Sequence, residues 1–113
     1  MALFYGFLLF LIGQALIWIQ SNGQFIWPWF KKNPLILSIA GGTIISYLFI
    51  KATAQLVEHF DGLLWPGRFI GFASGMVVFT VFTWFFMGEG INLKTGVSLL
   101  LATALIAVQL FWK

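Results

Sequence analysis

Few side chains in this 113-residue chain are able to do chemistry. Its acidic, basic and imidazole groups amount to Glu58, Asp61 and Glu89, His59, and Lys31, Lys32, Lys51, Arg68, Lys94 and Lys113. Three groupings stand out. Lys51, Gln55 and Glu58 fall at i, i+4 and i+7, so a helix would put a cation, an amide and a carboxylate on one face. Glu58, His59, Asp61 and Arg68 follow closely along the chain and form a mixed charge cluster. Gln14 is a lone amide deep in an otherwise apolar run.

These groupings exclude more than they offer. A metal site needs three or more well-placed ligands, and one His between two carboxylates at this spacing matches no ligand pattern. Cysteine is absent, which removes disulfides, thiolate ligands and thiol nucleophiles. There is no Ser-His-Asp set, no phosphate-cradling glycine loop followed by Lys, and no acid/base pair of carboxylates. The expectation is a non-enzymatic protein with no cofactor. The net charge of +3 is scattered rather than gathered into a tract, so nucleic acid is not an expected partner.

The elements that hold these residues are set by composition. With 61% hydrophobic and 8% charged residues, and a mean hydropathy of +1.00, the chain departs far from soluble domains, in which about a quarter of residues are charged. Lipid is the solvent such a chain fits. Crossing about 30 Å of hydrocarbon takes about 20 mostly apolar residues in a helix. Four runs qualify: 3–19, 34–57, 67–87 and 95–112. Short connections make neighbours antiparallel. The predicted fold is an all-α integral membrane protein, a single four-span up-down-up-down bundle. Period-2 alternation, which a membrane β-barrel needs, is missing. The first run lacks the basic flank and small-residue cleavage site of a signal peptide, so it reads as a retained span.

Polar residues within lipid each carry two readings. Lys51 either snorkels to the headgroups or pairs with Glu58 or Asp61, or it turns inward with Gln55 to line a site. Gln14 faces inward, bonding a neighbouring helix or contacting a substrate. Glu58, His59 and Asp61 read as a solvated loop. Small residues repeat every four positions at Ser38, Gly42 and Ser46 and again at Gly67, Gly71 and Gly75. Both stripes predict close helix packing, and the second also leaves room for a ligand or lipid tail. Trp27, Trp29, Trp65, Trp84 and Trp112 fall where membrane interfaces should lie. Lys31, Lys32 and Lys94 on one side balance Lys51, Arg68 and Lys113 on the other, so the positive-inside rule has little to act on and insertion in both orientations stays open.

Beyond these patterns, the chain resembles the drug/metabolite transporter superfamily, and within it the small multidrug resistance proteins and their four-span EamA-like relatives. The likeness rests on the stretch from Tyr5 to Trp18 with its central Gly13, on Trp27-Pro28, on Gly75, Trp84, Phe85 and Phe86, and on the turn through Gly88-Glu89 to Ile91. It implies an antiparallel homo- or heterodimer of dual topology in a bacterial-type inner membrane, of a kind that exports cations or flips lipid-linked sugars, and for this chain a polar metabolite or lipid-linked substrate. Departures are as telling. Phe10 stands where the drug exporters carry a proton-coupling carboxylate, and Arg68 and Gly71 stand where they carry aromatics. The expectation is a transporter or flippase that is not a proton-coupled cation exporter, with Gln14, Lys51, Gln55, Arg68, Gly71 and Gly75 lining its site. A non-transporting accessory subunit of a larger membrane complex is the alternative.

Overall fold

The computed structural model describes residues 2–112. Among them are five α-helices, one short 3-10 helix (Gly23–Phe25) and no strand: α1 (Ala2–Asn22), a short α2 (Pro28–Lys32), α3 (Pro34–His59), α4 (Trp65–Met87) and α5 (Leu93–Phe111). All but α2 are long and apolar enough to cross a membrane. The fold is therefore the expected all-α four-span bundle, its ends within about two or three residues of the sequence reading.

Local chemistry sets those ends. Proline occupies the first turn of α2, α3 and α4, where a missing N–H leaves no bond unmade. The α3–α4 turn closes through Asp61, in the left-handed region at φ 57°, and through the Gly62 N–H, which donates to Val57 O at 2.8 Å. That six-to-one bond is a Schellman stop. Gly88, at φ 72°, ends α4 in the same region. Asn92 caps α5, its side-chain oxygen accepting from the Thr95 N–H at 2.8 Å. Sequence periodicity did not reveal α2. It begins at Pro28 and ends on Lys31 and Lys32, which favour the negative end of the helix dipole.

Helix α1 is the hub, and it meets its two neighbours by opposite means. Toward α3 it presents glycines: Gly6 lies under Leu56 and Gly13 under Phe49, while Gln20 lies over Gly41. Those pairs descend on α3 as they ascend on α1, so the two run antiparallel. Gln20 Nε2 also donates to Leu37 O at 2.7 Å, tying the far end of the pair. Toward α4 it presents side chains: Phe10 lies on Gly71 and Gln14 on Gly75, and Trp18 Nε1 donates to Thr83 Oγ1 at 3.0 Å. Both numbers rise together, so α1 and α4 are parallel. Phe10, Ala52, Leu56 and Ile70 form the buried core. Helix α5 packs on α4 and buries only Ala102.

The stripe at Ser38, Gly42 and Ser46 does not pack within the chain. Ser38 and Ser46 are exposed, and a Cβ on Gly42 would meet open space. Ser38 Oγ bonds its own helix at Pro34 O, 2.8 Å away, so its hydroxyl needs no second helix. The face of α3 that packs on α1 lies one residue over, through Gly41, Ile45, Ala52 and Leu56.

Candidate functional site

The two rungs between α1 and α4 also form the wall of a groove. Phe10 and Gln14 of α1, Phe49 and Thr53 of α3, Leu64 just before α4, and one face of α4 from Trp65 to Phe79 border a space of about 890 Å³, together with Leu105 of α5. It is a groove open on one side rather than a sealed cavity. A volume in the 300–1,000 Å³ range suits a small ligand or much of a lipid-sized one. From Trp65 to Phe79 the helix rises about 21 Å, which carries the groove from the interface past mid-membrane.

Its lining is mostly aromatic and aliphatic, and three polar groups punctuate it. Arg68 is exposed near the start of α4, beside Trp65, so a full positive charge stands at the mouth. Thr53 and Gln14 lie deeper. Gln14 is half-buried, and its amide sits just over 3 Å from where a Gly75 Cβ would be. Unlike Gln20, it has no hydrogen-bond partner among the described residues. Among the described residues no buried side-chain nitrogen or oxygen is left unsatisfied, so the Gln14 amide stays accessible from the groove. In a membrane interior such a group needs water or a ligand.

Glycine creates this space. Side chains at Gly71 and Gly75 would project onto the Phe10 ring and the Gln14 amide, at 3.2 Å and 3.1 Å. At Gly67 a Cβ would come within 3.3 Å of Leu56. The stripe therefore serves packing and cavity at once.

The remaining sequence candidates lie elsewhere. Lys51 is exposed, its ammonium 5.7 Å above the centre of the Tyr47 ring, a cation–π arrangement along its own helix. At 100° per residue it points nearly opposite to Phe49 and Thr53, so neither it nor Gln55 lines the groove. Glu58, His59 and Asp61 sit exposed around the end of α3. Among the described residues no three such groups are close enough to hold a metal. Asp61 has a structural use instead, as the left-handed residue that stops α3. Lys113 lies outside the described residues.

Sequence reasoning overlooked Trp18. It is 3% exposed, stacks on Phe86 at 5.5 Å and meets Phe82 edge-on at 5.6 Å. With its bond to Thr83 it locks the far ends of α1 and α4. A hydroxyl one turn before the end of an apolar span, opposite an indole, was the available signal. Beside this lock lies a second, smaller cavity of about 250 Å³, lined by Gln14, Ile17, Trp18, Ser21, Asn22, Gly75, Val78 and Phe79. The chain matches no family model, no curated protein and no solved structure.

Proposed function

We propose that this four-span protein is a small membrane carrier of the drug/metabolite transporter kind, working as a dimer on polar metabolites or lipid-linked substrates with an anionic headgroup. The observation that supports this most is the composition of the groove. An apolar slot with a single cation at its interfacial mouth suits an acyl or prenyl chain below a phosphate, because the guanidinium pairs with phosphate oxygens in a forked geometry. Gln14, at mid-depth and unpartnered, supplies a neutral donor and acceptor. Among the described residues no carboxylate lines the groove, so they offer a cationic drug no counter-charge and a proton no carrier. The bacterial-type inner membrane and dual topology belong to the same proposal.

A fluorescent alkyl phosphate in sealed proteoliposomes tests it, with transbilayer movement read by impermeant dithionite quenching. The phosphate should cross faster than in protein-free vesicles and faster than an alkylammonium of equal chain length, and Arg68→Gln should remove the difference. Movement of neither amphiphile above the protein-free rate would overturn the proposal. A second reading draws on α5, which buries one residue and exposes Leu100, Leu101, Leu105 and Val108: the chain would be an accessory subunit laid through α5 against a larger complex. Co-purification with a partner at fixed stoichiometry, with no movement of either amphiphile, would select it.

A further inference from the structure

The large groove and the small cavity share three lining residues, Gln14, Gly75 and Phe79. From this juxtaposition we infer that they are two stations of one path across the membrane, and that the Gln14 side chain seated on Gly75 is the gate between them. The inference rests on the carrier reading above and deepens it, by assigning a second binding station and its ligand chemistry.

The stations meet near mid-membrane, at Gln14 and Gly75, and extend from there toward opposite faces. The large groove begins at Leu64, Trp65 and Arg68, near the start of α4, and reaches Gly75 and Phe79. The small cavity begins at Gln14 and ends at Ser21 and Asn22, the last residues of α1. Because α1 and α4 run parallel, Asn22 lies level with the end of α4. From Trp65 to the level of Thr83 the path rises about 27 Å, close to the hydrocarbon thickness. The two spaces together therefore span what a substrate has to cross.

Their linings differ. The groove has a guanidinium at its mouth and a long apolar wall. The second station has no charged residue, only the Gln14 amide, the Ser21 hydroxyl and the Asn22 amide among apolar neighbours. It suits an uncharged, hydroxyl-rich group, such as the sugar-like part of a headgroup, more than a phosphate. Between them stands the flexible Gln14 side chain on its glycine, with Phe79 beside it. Gln14 needs no broken hydrogen bond to move, since it has no partner among the described residues, and Gly75 offers no side chain in its path. Trp18, by contrast, is held by Thr83, Phe82 and Phe86, so the outer wall stays fixed while the gate turns.

Single-cysteine labelling tests this without any substrate, and the absence of native cysteine makes each introduced thiol the sole one. The probe is a negatively charged, membrane-impermeant methanethiosulfonate, applied outside sealed proteoliposomes or trapped inside them. Glu89→Cys, in the turn after α4, reports the fraction of molecules with that end toward the reagent, whatever the orientation mixture. Ile17→Cys should label to the same fraction as Glu89→Cys, and Thr53→Cys to the complementary fraction. Adding Gln14→Ala should raise Ile17→Cys labelling above the Glu89→Cys fraction on at least one side, whereas Gln14→Leu, similar in size, should not. Leu101→Cys, exposed on α5, faces lipid and should stay unlabelled. An Ile17→Cys that never labels, that labels beyond the Glu89→Cys fraction with Gln14 in place, or that ignores Gln14→Ala would overturn the gate. The Ile17→Cys and Thr53→Cys comparison keeps Gln14 and stands even where Gln14→Ala misfolds. Failure here with amphiphile movement intact would leave the carrier reading standing, and the reverse would leave two aqueous chambers with no carrier.

Discussion

Replacing Gly13 by Ala puts the α1–α3 register under direct strain. The added Cβ would lie 2.5 Å from Phe49 Cε1 and 3.0 Å from Cδ1, closer than carbon atoms approach without displacement. The Phe49 ring, which leans on Phe10 at a centroid distance of 5.3 Å, must turn toward the groove that it borders and give up that contact. Overpacking of this kind costs about 1–3 kcal/mol. Ala also gains about 1 kcal/mol over Gly in a helix interior. Gly42→Ala is the matched reference: the same exchange in a long helix, with no atom within 4 Å of the new methyl. The helix gain cancels between the two, so Gly13→Ala should be less stable than Gly42→Ala by about 1–3 kcal/mol, the overpacking cost alone. Equilibrium unfolding in mixed detergent micelles, followed by circular dichroism, measures this difference. Adding Phe49→Leu should recover part of it, a coupling of about 0.5 kcal/mol or more between contacting residues. Equal stability of the two alanine variants would refute the packing of Phe49 over Gly13, and with it the register from which the groove is built.

Other perturbations probe the remaining joints. Trp18→Phe and Thr83→Val each remove the indole–hydroxyl bond, and their double-mutant cycle in the same unfolding assay should show a coupling of about 0.5–1.5 kcal/mol; additivity would mean the bond contributes nothing. Gly71→Leu places a side chain where Phe10 already lies, so it should fill the groove and abolish alkyl phosphate movement; normal movement would mean the ligand does not pass this rung. Asn92→Ala removes the α5 cap and should cost about 1 kcal/mol of stability, with Asn92→Ser restoring most of it, both read in detergent unfolding.

What could be read from residue order alone follows a physical division. Hydrophobic run length fixes how many helices cross, so the four spans and their antiparallel connections were legible. Prolines and glycines fix the ends, and those too were legible within a turn. Which face a span turns inward was harder, because a membrane helix is apolar all round and has no polar side to mark the outside. Ser38, Gly42 and Ser46 show the difficulty. Their spacing matches a packing stripe as well as that of Gly67, Gly71 and Gly75, and only the second stripe meets another helix of the chain. Lys51 fails as a groove residue for a similar reason: a shared face with Gln55 and Glu58 says nothing about where that face points. Gln14 was placed inward because an amide avoids lipid. That it lies unbonded between two cavities depends on α4 offering Gly75 opposite it, a tertiary fact.

The pairing of side chains on α1 with glycines on α4 explains why a groove exists at all. The resemblance drew attention to Gly71 as a place where an aromatic is missing, and Phe10 of the neighbouring helix fills that place. The bulk sits on α1, and space remains beside it. Around α1, the direction of α3 is marked by Gly13 and that of α4 by Gln14, which are adjacent residues and so about 100° apart. Three helices in mutual contact would stand 60° apart. With interaxial distances of about 9 Å from α1 to each neighbour, an angle near 100° separates the α3 and α4 axes by about 14 Å at this level. Nearer the turn the directions converge, as Gly6 and Phe10 point only about 40° apart, and there Leu56 closes on Gly67. The two helices therefore form a wedge, shut beside Leu56 and open by about 5 Å at Gln14, roughly the width of one hydrocarbon chain. An aromatic side chain at Gly71 would force Phe10 out of this wedge, and Arg68 would still hold the mouth.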